Sequence, residues 1–137
     1  MQLPHVVPML GDAGAHVGFF TDTDSPTVLL SELTRKQGVY SLPEAIHRIT
    51  GKSADIIGLK ERGELREGWH ADINVIDYEN LHTCHPEYVN DFPHGGGRFI
   101  VKSQAYDATI VAGQVVVQNG VHTGNRPGEV IRNFVRG

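Results

Sequence analysis

Asp12 and His16 are the residues whose types and spacing could do chemistry. They stand four apart in Val6-Val-Pro-Met-Leu-Gly-Asp12-Ala-Gly-Ala-His16, where a short apolar run ends in Gly-Asp. A carboxylate delivered at the C-terminal end of a buried strand faces the working end of an α/β barrel. There it can ligate a metal ion, or take a proton from metal-bound water and return it to a leaving group. His16 is near enough in sequence to share that site and contact a substrate anion. The same pair fits a plainer reading, in which Asp12 caps a turn and His16 is a loop residue.

Other candidates carry less. In Gly68-Trp-His-Ala-Asp-Ile-Asn-Val-Ile-Asp77, Asp72 reads as a turn residue that satisfies backbone donors before a strand. His82-Thr-Cys84-His85, with His94 nearby, invites a zinc reading. Adjacent Cys84 and His85 rarely ligate one ion together, however, and no second cysteine exists, so a solvent-facing loop is the better reading. Gly95-Gly-Gly97-Arg98 lacks the G-x-x-x-x-G-K-[ST] pattern of a phosphate loop. Asp22 and Asp24 add negative charge close to Asp12, with helix-start duty the plainer role for Asp24.

Composition narrows the classes. A chain of 137 residues can bury a real core, and 39% apolar with 20% charged residues suits a soluble globular protein. The net charge of −4 and the absence of a Lys/Arg block argue against nucleic acid or an anionic membrane as partner. The single cysteine, Cys84, excludes an internal disulfide framework. No 18-residue apolar run and no basic-then-apolar leader occur, which makes cytoplasmic residence the expectation. Sixteen glycines imply many turns.

The elements that must position Asp12 and His16 follow from the pattern. Residues 5–10 read as a short buried strand, and 11–25 as a Gly-, Asp- and Thr-rich loop. Ser25-Pro26 starts a helix, with Ser25 as N-cap, Leu29, Leu30 and Leu33 on one face, and Gly38 as its end. Ser41-Leu-Pro-Glu44 is a capping box opening a helix with Leu42, Ala45, Ile46 and Ile49 on one side, closed by Thr50-Gly51. A third short helix covers 53–57 and stops at Gly58. Beyond a boundary near 59–63 the character turns to β. The expectations are a strand over 71–77, an irregular loop over 79–98, a strand over 99–104 and a hairpin over 109–118. Asn119-Gly120 is then a tight turn, and the tail ends in a small apolar anchor around Val130 and Ile131.

Together these stretches resemble the C-terminal part of metal-dependent amidohydrolases, above all the N-acyl-D-amino-acid deacylase (D-aminoacylase) branch. The resemblance is carried by Gly11-Asp-Ala-Gly-Ala-His-Val17, Ser41-Leu-Pro-Glu-Ala45, Gly58-Leu-Lys-Glu-Arg-Gly-Glu-Leu65 and Gly68 to Asp77. It continues through Asp91-Phe-Pro-His-Gly-Gly-Gly-Arg98, Ala108-Thr-Ile-Val-Ala-Gly-Gln114 and Thr123-Gly-Asn-Arg-Pro-Gly128. It implies an α+β fragment: residues 1–60 as the last strand and helices of a (β/α)8 barrel, and 61–137 as β-sandwich strands. It implies Asp12 as the catalytic base and acid and a possible metal ligand, and His16 as a substrate contact. The implied metal is zinc, with a small N-acyl amino acid or amide as substrate.

The family's His-x-His pair, bridging residue and later histidine ligands have no counterpart here, for none of the eight histidines forms a His-x-His pair. No metal site is complete, so zinc is not expected to bind this chain alone, and the isolated chain is expected to be inactive, as a truncated product or fragment would be. The alternative is a noncatalytic β-rich module that self-associates, as a homo-oligomer, or binds another chain. A third possibility is complementation, in which a second polypeptide supplies the missing barrel portion and its ligands.

Overall fold

Pro26 sets the first turn of the helical half in the computed structural model, which describes residues 3, 5–8, 14–19 and 22–132. Helix α1 (Ser25–Val28) has Asp24 at its N-cap, one residue earlier than the sequence suggests, and Asp24 makes no side-chain cap bond. The chain then continues as a π-helical run over Leu29–Lys36, in which the Gln37 amide reaches back five residues to the Glu32 carbonyl at 3.0 Å. Leu29 and Leu30 are buried as expected, but so are Thr27, Ser31 and Thr34, and the Ser31 hydroxyl donates to the Thr27 carbonyl at 2.8 Å. Gly38, at φ +62°, ends the run.

Helix α2 (Leu42–Ile49) starts where the capping pattern places it. Ser41 Oγ accepts the Glu44 amide at 3.4 Å, but the Glu44 carboxylate turns forward to Arg48, so only half of the capping box forms. Thr50 breaks the helix at φ −126°, ψ −94°, and α3 (Gly51–Ile57) begins at once, two residues earlier than expected. Gly58, at φ +74°, ends it.

The β half is built from local turns. Strands β1 (Ile73–Ile76), β6 (Tyr106–Val111), β7 (Gln114–Gln118) and β8 (Val121–His122) form one antiparallel sheet in the order β1-β6-β7-β8. Ala112-Gly113 and Asn119-Gly120 both have positive φ at each position, the type I′ geometry whose twist suits a two-residue hairpin. The stretch 79–98 is not one irregular loop. It contains β2 (His82–Thr83) and β3 (Glu87–Val89) and a 3-10 turn over Pro93–Gly95. The expected strand over 99–104 is two strands, β4 (Arg98–Ile100) and β5 (Ser103–Gln104), because each pairs with a different partner: β4 with β3, and β5 with β2. The tail anchor also fails, since Val130 is largely exposed.

Residues 5–8, the described part of the expected first strand, are not a strand. A barrel strand needs neighbours to complete its ladder, and the described residues provide none. The carbonyls of Leu3 and Val6 bond instead to the guanidinium of Arg48, at 3.3 and 2.6 Å.

One apolar core draws on both halves. Leu29, Leu30, Tyr40 and Ala45 meet Leu81, from the turn between β1 and β2, with Ile76, Tyr78 and Tyr106 packed around them. Arg35 donates to the carbonyls of Tyr78 and Leu81, the latter at 2.6 Å, and lies over the Tyr78 ring. Thr27 Oγ1 bonds Ser103 Oγ at 2.8 Å and Tyr106 Oη at 2.9 Å, joining α1 to β5 and β6. Leu81 is 0% exposed. Leu81→Ala therefore leaves a cavity at the joint and is expected to cost about 2–5 kcal/mol. Urea unfolding measures this, and a loss below about 1 kcal/mol would contradict the assigned packing.

Candidate functional site

The sequence places its chemistry on the segment before α1. Asp12 lies outside the described residues. His16 is described, at φ +51° in a tight turn where the Phe19 amide donates to its carbonyl at 2.8 Å. Both rings are exposed, 6.4 Å apart. The next residue docks the loop, as Val17 O accepts the Phe99 amide of β4 at 2.8 Å. The loop that bears His16 is thus registered on the β3–β4 hairpin, more than eighty residues later in the chain.

Side-chain contacts hold that hairpin together. Tyr88 meets Phe99 edge to face, with centroids 5.0 Å apart. Gly97 sits directly beneath the Tyr88 ring, where a Cβ would collide with the phenol. Arg98 holds Asp91 in a two-pronged bond, at 2.8 and 2.7 Å, and lies over Phe92 at 5.2 Å. The Arg98 bond holds the Asp91 carboxyl below the ordinary carboxylate range, and Asp91 in turn raises Arg98. Asp77 is also lowered, chiefly by the Asn80 side-chain amide.

The remaining candidates separate. His82 Nδ1 pairs with the Asn80 carbonyl at 2.7 Å. The Cys84 amide bonds the Lys102 carbonyl, His85 is exposed, and His94 sits at φ +60° in the 3-10 turn. Among the described residues no three His, Cys, Asp or Glu side chains come together to hold a metal ion. Asp72 behaves as a turn residue: its Oδ1 accepts the Ala112 amide at 2.9 Å, and its other oxygen pairs with Arg62. Asp24 stands at the N-cap without a cap bond, and the Asp22 carbonyl accepts the Ser25 amide at 3.5 Å.

Sequence reading missed two features. A cleft of about 630 Å³ opens between α2 and β1, with Leu42, Ile46, Ile73 and Tyr106 in its walls and His47, Glu64, Asp72 and Asn74 at its polar margin. Residues 14–19, the described part of the loop bearing His16, do not line it. The signal that could have found it is the glycine pair Gly51 and Gly63: a Cβ on Gly63 would lie 2.9 Å from the Gly51 backbone, so the 61–65 turn presses against the start of α3. The second is Arg48, buried at 4% exposure on α2, where a helix-face reading sees only a polar residue.

Known proteins resemble this arrangement. A profile of the Amidohydrolase family matches residues 1–117. The chain is similar to an N-acyl-D-aspartate deacylase of Alcaligenes xylosoxydans xylosoxydans, 39% identical over 106 residues, covering 77% of this chain and 19% of that protein. It is also similar to a dihydroorotase of Endomicrobium trichonymphae, 35% identical over 96 residues, covering 67% of this chain and 22% of that protein. Among solved structures it is similar to a D-aminoacylase variant studied with copper chloride, with a TM-score of 0.63 and 26% identity, covering 79% of this chain and 21% of that one. A further D-aminoacylase structure, studied for its binuclear metal centre, aligns with a TM-score of 0.57 and 26% identity over 73% of this chain and 19% of that one. The chain therefore spans roughly a fifth of the length of these relatives.

The Asp91–Arg98 bond gives a pH expectation. A carboxyl with a lowered folded-state pKa contributes stability that is present above its unfolded pKa and lost as pH falls through the folded one. In a ¹³C titration, Asp91 should protonate at lower pH than an ordinary aspartate, and Arg98→Gln should move its midpoint upward. An unchanged Asp91 midpoint in Arg98→Gln would refute the bond as the cause.

Proposed function

The chain belongs to the amidohydrolase family, in its D-aminoacylase branch, and we propose that it carries the proton-transferring carboxylate of an enzyme that hydrolyses N-acyl-D-amino acids. The observation that supports this most is the reach of the family match, residues 1–117, which takes in both Asp12 and His16. In the intact enzyme residues 1–60 would take the place of the terminal strand and helices of the barrel, and 61–137 that of the sandwich strands, although residues 5–8 form no strand in this chain by itself.

In the reaction the amide C–N bond breaks and a C–O bond forms between the acyl carbon and water. Asp12 accepts the proton of the attacking water and returns it to the departing amine nitrogen, so the carboxylate ends each cycle ionised. His16 contacts the substrate carboxylate. The described residues do not fit a metal centre by themselves, since no three potential ligands converge. The zinc of the family reading is thus assigned to ligands other than these, and the chain by itself is inactive.

Two measurements test this. The chain alone, given N-acetyl-D-aspartate with zinc or cobalt, should show no turnover above background. Clear turnover abolished by Asp12→Asn would sink the inactive-chain part. Next, this chain replaces the matching segment of the N-acyl-D-aspartate deacylase. There Asp12→Asn should lower kcat by about 10²–10⁴-fold, and an unchanged kcat refutes the role of Asp12.

A second reading has its own observation. Leu65, Val75 and Val121 are exposed on or beside the four-stranded sheet, which suits a noncatalytic module that self-associates or binds another chain. Light scattering decides it: a homo-oligomer is expected, and a monomer across concentrations counts against self-association.

A further inference from the structure

We infer that the backbone amide of Phe99 positions His16, by holding the turn that bears the imidazole on the open edge of β4. The inference rests on the substrate contact proposed for His16 above, but its evidence is separate and lies wholly in residues 14–19 and the β3–β4 hairpin.

Two consecutive carbonyls fix this turn. His16 O accepts the Phe19 amide at 2.8 Å, which closes the turn on itself. Val17 O accepts the Phe99 amide, also at 2.8 Å, which ties the turn to β4. His16 sits at φ +51°, in the left-handed region that a residue with a Cβ enters at a cost. Such a conformation persists where the surrounding bonds leave the backbone no lower-energy choice. With the backbone fixed at residues 16 and 17, the direction of the His16 Cα–Cβ bond is fixed as well. The exposed side chain then loses less freedom when a ligand arrives, which favours binding.

The donor faces the turn because of the hairpin's register. Phe99 lies opposite Tyr88, and its N–H points away from β3 toward Val17. Tyr88 and Phe99 are thus a non-hydrogen-bonded pair, the kind whose side chains approach most closely, and their rings meet edge to face. Gly97 leaves room for the Tyr88 ring, where a Cβ would strike the phenol. Among the described residues no strand lies on the other edge of β4, and the carbonyl that takes the Phe99 amide is that of Val17.

The test removes the donor and keeps the strand. Proline is tolerated on an edge strand where the missing N–H would point away from the ladder. Phe99→Pro is therefore the probe, and Phe99→Leu, which keeps the amide and loses the ring, is the control. Hydrogen exchange at the Phe19 amide should speed about tenfold or more in Phe99→Pro and less than about threefold in Phe99→Leu. The His16 ring resonances should move in Phe99→Pro, with the β6–β7 amides unchanged. Equal effects in the two variants overturn the inference, because ring packing would then hold the turn. Unchanged Phe19 exchange in Phe99→Pro overturns it too. If proline disrupts β3–β4, an ester in place of the 98–99 peptide bond removes the same donor with the ring retained, and the same criteria apply. In the unaltered chain, Phe99 ¹⁵N and the Val17 carbonyl ¹³C should show scalar coupling across the bond, and its absence is equally fatal.

The deacylase replacement chimera reads the consequence for substrate. There Phe99→Pro should raise KM about threefold or more and change kcat less than about twofold, the split expected when a uniform binding contact loosens. A fall in kcat at constant KM contradicts the positioning role. Failure of the substrate-contact reading would look different: His16→Ala would leave KM unchanged while the exchange results stand.

Discussion

The burial of Leu81 among the helices is the constraint on which the rest of this structure depends. Leu81 belongs to the β half by sequence and to the helical half by packing, beside Leu29, Leu30 and Ala45. A turn pushed into a core brings backbone carbonyls with it, and these must be bonded or they cost stability. Arg35 answers that need by donating to both Tyr78 and Leu81. Just before the π-helical run that carries Arg35, Thr27 of α1 bonds Ser103 and Tyr106. Helices too short to be stable alone are thereby fastened to strands that need a cover for Ile76 and Tyr106.

The two buried-end arginines show one device used twice. Arg35 and Arg48 each lie over a tyrosine, and each donates to two main-chain carbonyls of a distant segment. Guanidinium suits this work because its donors are planar and fixed in direction, while its flat face tolerates an aromatic neighbour. Arg35 secures the joint between the halves, and Arg48 holds the carbonyls of Leu3 and Val6. Neither contact could be read along the chain, since the partners lie more than forty residues away.

What could be read was local. Capping at Ser41, the stop at Gly58 and the Asn119-Gly120 turn depend on near neighbours and on the φ values that glycine and asparagine tolerate, and all appear where the sequence puts them. The strands hidden in 79–98 could not be read, because β2 and β3 are two and three residues long and owe their existence to partners rather than to pattern. Residues 5–8 fail in the opposite sense: their apolar pattern is that of a buried strand, but strand structure is a property of pairs, and no described strand lies beside them. The candidate site shares that split. Its family was legible from ordered motifs around Asp12 and His16, whereas the anchoring of Leu3, Val6 and Val17 depends on Arg48 and Phe99, which carry no motif of their own.

The four-stranded sheet marks the other limit of this core. No residue of β1, β6, β7 or β8 is fully buried, although Val and Ile fall on both of its faces. Area burial therefore contributes less to its cohesion than the ladder and the two I′ turns, whose twist matches that of the strands they join. Both turns are two residues long, so β6, β7 and β8 pair with little loop-closure entropy to overcome. β1 is different: it reaches β6 only across the whole of 77–105, and that closure is favourable because Leu81, within the same stretch, is packed against the helices. The sheet's local part can hold itself, its first strand depends on the joint at Leu81, and the apolar cleft beside β1 is the surface that this joint leaves uncovered.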